Sequence, residues 1–318
     1  MPDYWLLCTK INLMKALLLS LSLVGLLAAC QSDAPTGSAL IEEIKALETT
    51  AATNPAAATN AELVENYLAY VAAHPEDTET NGKYLYKAGS TQYRMNRFSA
   101  ALETLQRAIK NYYPSNSTPS SILLMGDIYQ NKLQNPTVAA GVYGAFVKAF
   151  PNHPRTAELT AEYGNAPDIP TRIVGLSDQL YNDSLKRVDY RVANHLIALG
   201  ETQAMVLPAD PQSPEMLYKA GQIANSIRAS EQSIALNEWL YERYPDHPRA
   251  GRALFLMAFT YDNELKDFDK AGQLYRQFLA EYPEDDFAQS ARFQLDNLGK
   301  SANEIIEGFD RAATPEGE

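Results

Sequence analysis

Leu85-Tyr86-Lys87-Ala88-Gly89 returns as Leu217-Tyr218-Lys219-Ala220-Gly221, 132 residues further on. The same offset carries Leu124-Met125 onto Leu256-Met257, and Tyr129, Asn131 and Leu133 onto Tyr261, Asn263 and Leu265. It then carries Ala139, Tyr143, Phe146 and Pro151 onto Ala271, Tyr275, Phe278 and Pro283. From 122 to 151, nine of 30 aligned positions are identical, where unrelated sequence would give about two. The chain is a tandem duplication. Repeat-built chains present extended surfaces, which favours binding over a pocket for chemistry.

The punctuation inside each copy points to helices. An aromatic residue or histidine precedes proline at His74-Pro75, Tyr113-Pro114, Phe150-Pro151, Tyr244-Pro245 and Tyr282-Pro283. The proline spacings are 39, 37, 94 and 38 residues, and Pro208 divides the long gap into 57 and 37. Proline ends a helix because its ring blocks continuation and it lacks an N–H. Two apolar-periodic stretches lie between successive prolines, each long enough for a helix of roughly 12 to 16 residues. No stretch alternates with period two over β-branched residues. The expected fold is all-α, a series of helical hairpins.

These hairpins resemble tetratricopeptide repeats. In the stretch ending at Pro283, Ala258 stands where the first helix needs a small residue, and Tyr261 follows it. Phe268 opens the second helix, whose inner face carries Ala271, Tyr275 and Phe278. Gly89 with Phe98, Ala101, Leu105 and Ala108 repeats the scheme, as does Gly126 with Tyr129, Ala139, Tyr143 and Phe146. Gly221 opens a weaker copy, with Ser233 at the small position and Trp239 and Leu240 left to fill the core. The small residues let the paired helices approach, and the aromatics fill the space toward the next hairpin. The resemblance implies hairpins stacked into a right-handed superhelix, internally duplicated. The first copy is expected over residues 39–165. The second is expected over 171–309, with a capping helix from Leu298 to Phe309, and a disordered tail over 310–318. The junction Gly164-Asn165-Ala166-Pro167-Asp168-Ile169-Pro170 is short, which favours stacking of the copies, with two independent domains as the alternative.

The N-terminus carries an address. Met14-Lys15 precedes the apolar run Ala16–Leu27 and then Leu27-Ala28-Ala29-Cys30, the parts of a secretory signal peptide over residues 1–29, with Met14 the better natural start. The run is short for a bilayer span. Its ending resembles the lipobox of bacterial lipoproteins, which implies acylation of Cys30 and a tether over 30–38. Gln31, not Asp, follows the cysteine, which resembles the pattern sent to the outer membrane. The pattern Tyr-Pro, acidic or polar residues, then Ala occurs at 244–250 and 282–288. It resembles the repeats of BamD-type outer-membrane assembly lipoproteins and of the periplasmic repeat protein associated with the Tol–Pal system. The partners so implied are other envelope proteins, with the membrane held through acyl chains on Cys30 and the body on the periplasmic face, with the outer surface as the alternative.

Composition narrows the classes further. A net charge of −12 argues against nucleic acid and against lying flat on anionic lipid. The cysteines are Cys8 and Cys30, so no thiolate metal site or disulfide framework is expected. The histidines 74, 153, 195 and 247 lack zinc-ligand spacing, and no phosphate-binding loop or nucleophile elbow is present. The acidic runs Pro75-Glu76-Asp77 and Glu284-Asp285-Asp286 read as helix caps. No cofactor, metal or catalytic residue is expected. Asn131 and Asn263, the duplicated polar residues of Tyr-x-Asn-x-Leu, read as amides that satisfy loop carbonyls, or as amides facing a ligand in a concave groove. Trp239 reads as a core filler or an exposed anchor. Two functional classes remain: a membrane-anchored protein-interaction scaffold, and a lipoprotein that captures a glycan or peptide for an outer-membrane transporter. A structural spacer is a minor third.

Overall fold

The structure, a computed structural model, describes residues 37–54, 56–182, 186–301 and 303–307. The signal peptide, Cys30, the tether up to residue 36 and the tail over 310–318 lie outside the described residues. The chain divides into two compact units, Met1–Glu76 and Asp77–Glu318. The first contains the packed helices α1 (Gly37–Thr53) and α2 (Ala57–Ala73). There the Tyr67 hydroxyl donates to Glu48 at 2.6 Å.

The second unit begins with the hairpin α3 (Thr78–Arg94) and α4 (Phe98–Asn111), then α5 (Thr118–Asp127) and α6 (Pro136–Ala149), then α7 (Thr156–Tyr163). It continues with α8 (Ile169–Ser177), α9 (Tyr190–Val206), α10 (Ser213–Ser226), α11 (Ser230–Arg243), α12 (Ala250–Thr260), α13 (Phe268–Glu281) and α14 (Ala288–Asp296). Some of the helices start where a side chain replaces the missing turn above them, at Asp77, Asn135, Asp168, Asp189 and Asp267. Asp77 accepts from the Thr80 N–H at 3.1 Å, and Asp189 accepts from Val192 at 3.1 Å.

The duplication reaches most of the helices. Helices α4 and α11 coincide at the 132-residue offset, as do α6 and α13, and α7 and α14 begin at matching positions. The leading pair α1–α2 has its counterpart in α8–α9. The left-handed residues that turn one helix into the next also recur: Asn96 (φ 59°) with Arg228 (φ 60°), and Gln134 (φ 50°) with Lys266 (φ 56°).

Packing inside a hairpin follows the small residues. A Cβ on Gly89 would lie 2.8 Å from Leu105, and one on Gly126 would lie 2.5 Å from the Tyr143 ring. Ala258, Ala271, Tyr275 and Phe278 are fully buried. One apolar cluster runs from Ala101 to Ala253, across the junction of the copies, and a second runs from Leu254 to Ala291. The bridge between copies is α9, which packs on α8 and α10 and also on α4 and α6.

Three features differ from the sequence expectation. A two-stranded antiparallel ladder pairs Tyr181 with Val188 and Asn182 with Arg187, strands too short to leave a periodic signature. The stretch expected to cap the last repeat does not begin as a helix at Leu298: α14 covers that repeat, Leu298 lies in a turn before Gly299 at φ +74°, and among the described residues helix is present over 303–307. Leu298 instead packs beside the second core cluster. Helices α5 and α12 each end in a turn of π-helix, Ile128–Lys132 and Tyr261–Leu265, which closes with the Leu133 N–H on the Ile128 carbonyl at 2.9 Å in the first copy. No periodicity of side chains announces one extra residue in a turn.

Candidate functional site

Helix α9 is buried on most of its circumference, through Val192, Leu196, Ile197, Leu199, Met205 and Val206. Its one carboxylate is Glu201, which is partly buried and faces α4 and α11. Two connected cavities open there. The smaller, about 140 Å³, takes Gln106, Arg107 and Lys110 from α4, Glu201 and Met205 from α9, and Gln232, Leu236 and Trp239 from α11. The larger, about 290 Å³, takes Ser99, Leu102, Glu103 and Gln106 from α4, Asn194, Ile197 and Glu201 from α9, Gln232 from α11, and Tyr129 from the first π turn. Gln106, Glu201 and Gln232 belong to both, so the two form one groove. The groove lies where equivalent helices of the two copies face each other: Arg107 and Trp239 occupy corresponding positions at the duplication offset.

The charges of the groove are held in unequal ways. The Lys110 ammonium stands 4.4 Å from the centroid of the Trp239 ring, a cation–π contact. Burial pushes the Lys110 pKa down, opposed by Glu242, Glu201 and Glu238. Burial pushes Glu201 up to about 7, opposed by Lys110 and Gln232. The salt bridges among the described residues include none to Glu201. Tyr129 is pushed up by burial and then by the charge of Glu201. The site offers amides that both donate and accept, a carboxylate short of a counter-charge, and an apolar floor. These suit recognition of a polypeptide backbone and side chains. Among the described residues, no group of three His, Cys, Asp or Glu side chains is placed to hold a metal ion.

The residues singled out from sequence are not brought together. Trp239 lines the groove, but only 9% of its surface is exposed and Lys110 covers its ring, so it is neither a bare anchor nor a pure core residue. Asn131 is exposed on the first π turn, where its amide donates to the Asp127 carboxylate at 2.6 Å. The other Asp127 oxygen accepts from the Tyr93 hydroxyl at 2.8 Å. Asn263 is partly buried on the second π turn and donates to the Phe259 carbonyl at 3.1 Å. Both amides thus reach back four residues to the end of the preceding α-helix, the spacing of neighbours on one helix face, instead of binding a loop carbonyl. Neither lines the groove. Cys30 lies outside the described residues.

Sequence reading passed over Glu201, Glu103, Gln106 and Gln232. Glu201 is the lone acid in Leu196–Val206, but Thr202 and Gln203 beside it make it look like part of a polar helix face. The convergence of α4 and α11 on it depends on the stacking of the copies and leaves no local pattern.

Residues 83–115, 120–153 and 252–285 match the family model described as tetratricopeptide repeat. These stretches are the hairpins α3–α4, α5–α6 and α12–α13. The fourth such hairpin, α10–α11, falls outside the match, and its inner face carries Ser233 and Asn237 where α4 has Ala101 and Leu105. No curated protein matches the sequence. Among solved structures, the chain is similar to the TPR2AB domain of yeast Sti1 in its pHSP90 complex. The identity is 16%, over 82% of this chain and 96% of that one, with a TM-score of 0.31. It is also similar to the C-terminal part of a TPR repeat-containing protein from Cytophaga hutchinsonii, at 16% identity over 78% of this chain and 98% of that one, with a TM-score of 0.25.

Proposed function

We propose that this chain, which carries tetratricopeptide repeats in both copies, is a protein-interaction scaffold that holds an extended segment of a partner in the groove between α4, α9 and α11. The observation that carries this reading is the groove itself. It joins equivalent helices of the two copies and combines three amide side chains, Gln106, Asn194 and Gln232, with the apolar Leu102 and Ile197. An extended segment exposes unpaired backbone groups, and such amides pair with them in either polarity. The companion proposal is that acyl chains on Cys30 hold the scaffold at the outer membrane, on the periplasmic face. There it serves assembly of outer-membrane proteins or upkeep of the envelope. Its support is Leu27-Ala28-Ala29-Cys30 followed by Gln31. No described helix is long and apolar enough to cross a membrane. Glycan capture is not favoured, because the Trp239 face that would stack on a sugar is covered by Lys110.

In-cell photo-crosslinking from a probe at Gln232, with comparison probes at Asn131 and Asn263, tests the groove. A discrete protein adduct from Gln232 is expected. Adducts only from the asparagines, or none with the protein at normal abundance, would sink the proposal. Incorporation of labelled palmitate that persists in Cys30→Ala would separately refute the anchor.

A further inference from the structure

We infer that the larger cavity receives a basic side chain, lysine or arginine, from the bound segment, with Glu201 and Glu103 as its counter-charges. This deepens the groove reading above and rests on it. The lining of that cavity contains two carboxylates and no lysine, arginine or histidine. Glu103 is exposed at the mouth, and Glu201 is partly buried deeper in. Leu102 and Ile197 provide apolar contact for a long aliphatic stem, and such stems bury readily while their charged heads seek polar partners. The amide oxygens of Gln106, Asn194 and Gln232 add acceptors for a group that has donors only.

The cation already nearby does not fill this role. Lys110 lines the smaller cavity, is stacked on Trp239, and divides its charge among Glu242, Glu201 and Glu238 instead of serving Glu201 alone. It is not among the ion-pair partners within 4.0 Å of any carboxylate in the described residues. A desolvated carboxylate with no close counter-ion is stabilised by one that arrives, so the chemistry of the lining selects a cation over a neutral or acidic side chain. The duplication does not repeat the pair: Glu103 corresponds to Ala235, and Glu201 to Ala69. One basic residue of the partner is therefore read, at one place.

The test uses the full-length chain with Trp5→Phe, which leaves Trp239 as its only tryptophan. Acetylated, amidated alanine pentapeptides with lysine, norleucine or glutamate at the centre are titrated at pH 8, followed by Trp239 fluorescence and calorimetry. The lysine peptide is expected to bind at least tenfold more tightly than the norleucine peptide. Glu201→Gln is expected to cut that preference about tenfold, and Glu103→Gln about threefold. Equal affinity for lysine and norleucine, a preference unchanged in the double variant, or no response to any peptide overturns the inference. The two proposals fail separately. A protein adduct at Gln232 without a lysine preference keeps the scaffold and removes the cation receptor. A lysine preference with silent crosslinking does the reverse.

Discussion

Replacing Asn237 by leucine should stabilise the protein, and the first copy supplies the control. Asn237 is 1% exposed, and its amide donates to the Ser233 carbonyl at 2.8 Å, but its side-chain oxygen has no partner. The corresponding residue in α4 is Leu105, fully buried against Gly89, and Asn237 meets Gly221 in the same way. An unsatisfied buried acceptor costs about 1–3 kcal/mol. Burying a leucine side chain contributes about 1.5–3 kcal/mol. Against this stand the lost Asn237 hydrogen bond, about 1 kcal/mol, and imperfect fit, about 1–2 kcal/mol. The net expectation for Asn237→Leu is a gain of about 1–3 kcal/mol, or roughly 3–8 °C in melting temperature. The reverse exchange, Leu105→Asn, should cost about 3–4 kcal/mol. Urea titration with equal slopes for all variants is the assay. A loss of more than about 1 kcal/mol in Asn237→Leu would refute the claim that the two sites are the same packing position.

Three further outcomes are expected. Glu201 is raised from 4.5 to about 7 by burial, so the folded state binds more protons across that window and stability falls as pH rises through it. Glu201→Gln should therefore add on the order of 2–3 kcal/mol at pH 8 and little at pH 4.5, checked by urea titration at both values. Arg228 sits at φ 60°, so Arg228→Gly should raise stability by up to about 1 kcal/mol, whereas Arg228→Val should lower it by about 1–2 kcal/mol, read from the urea midpoints. A Cβ on Gly200 would lie 2.7 Å from the Met216 carbonyl oxygen and 2.9 Å from Ala220. Gly200→Ala should push α9 off α10 and cost about 2–3 kcal/mol, visible as a lower melting temperature.

Much of the fold was legible because the duplication doubled every weak signal. Gly89 facing Leu105, and Ala258 with Ala271 in the core, follow from small residues at helix-crossing positions. The prolines mark the helix ends because their chemistry is local. The π turns were not legible: Tyr-x-Asn-x-Leu fits an α-helical turn equally well, and the extra residue shows only in the backbone bonds it changes. The groove was hidden for another reason. Trp239 stood out by its type, but its partners Lys110 and Glu201 are 129 and 38 residues away and meet it only after the copies stack. Glu201 looks like an ordinary helical surface acid until the burial of its neighbours is known.

The most direct measurement is hydrogen–deuterium exchange of the full-length chain, alone and with the protein captured from the Gln232 probe. Protection is expected within 99–110, 194–206 and 232–239, the faces of α4, α9 and α11 that line the groove. Protection confined to the π turns, or to α13 and α14, with these three segments unchanged, would contradict the claim that the partner binds where the two copies meet.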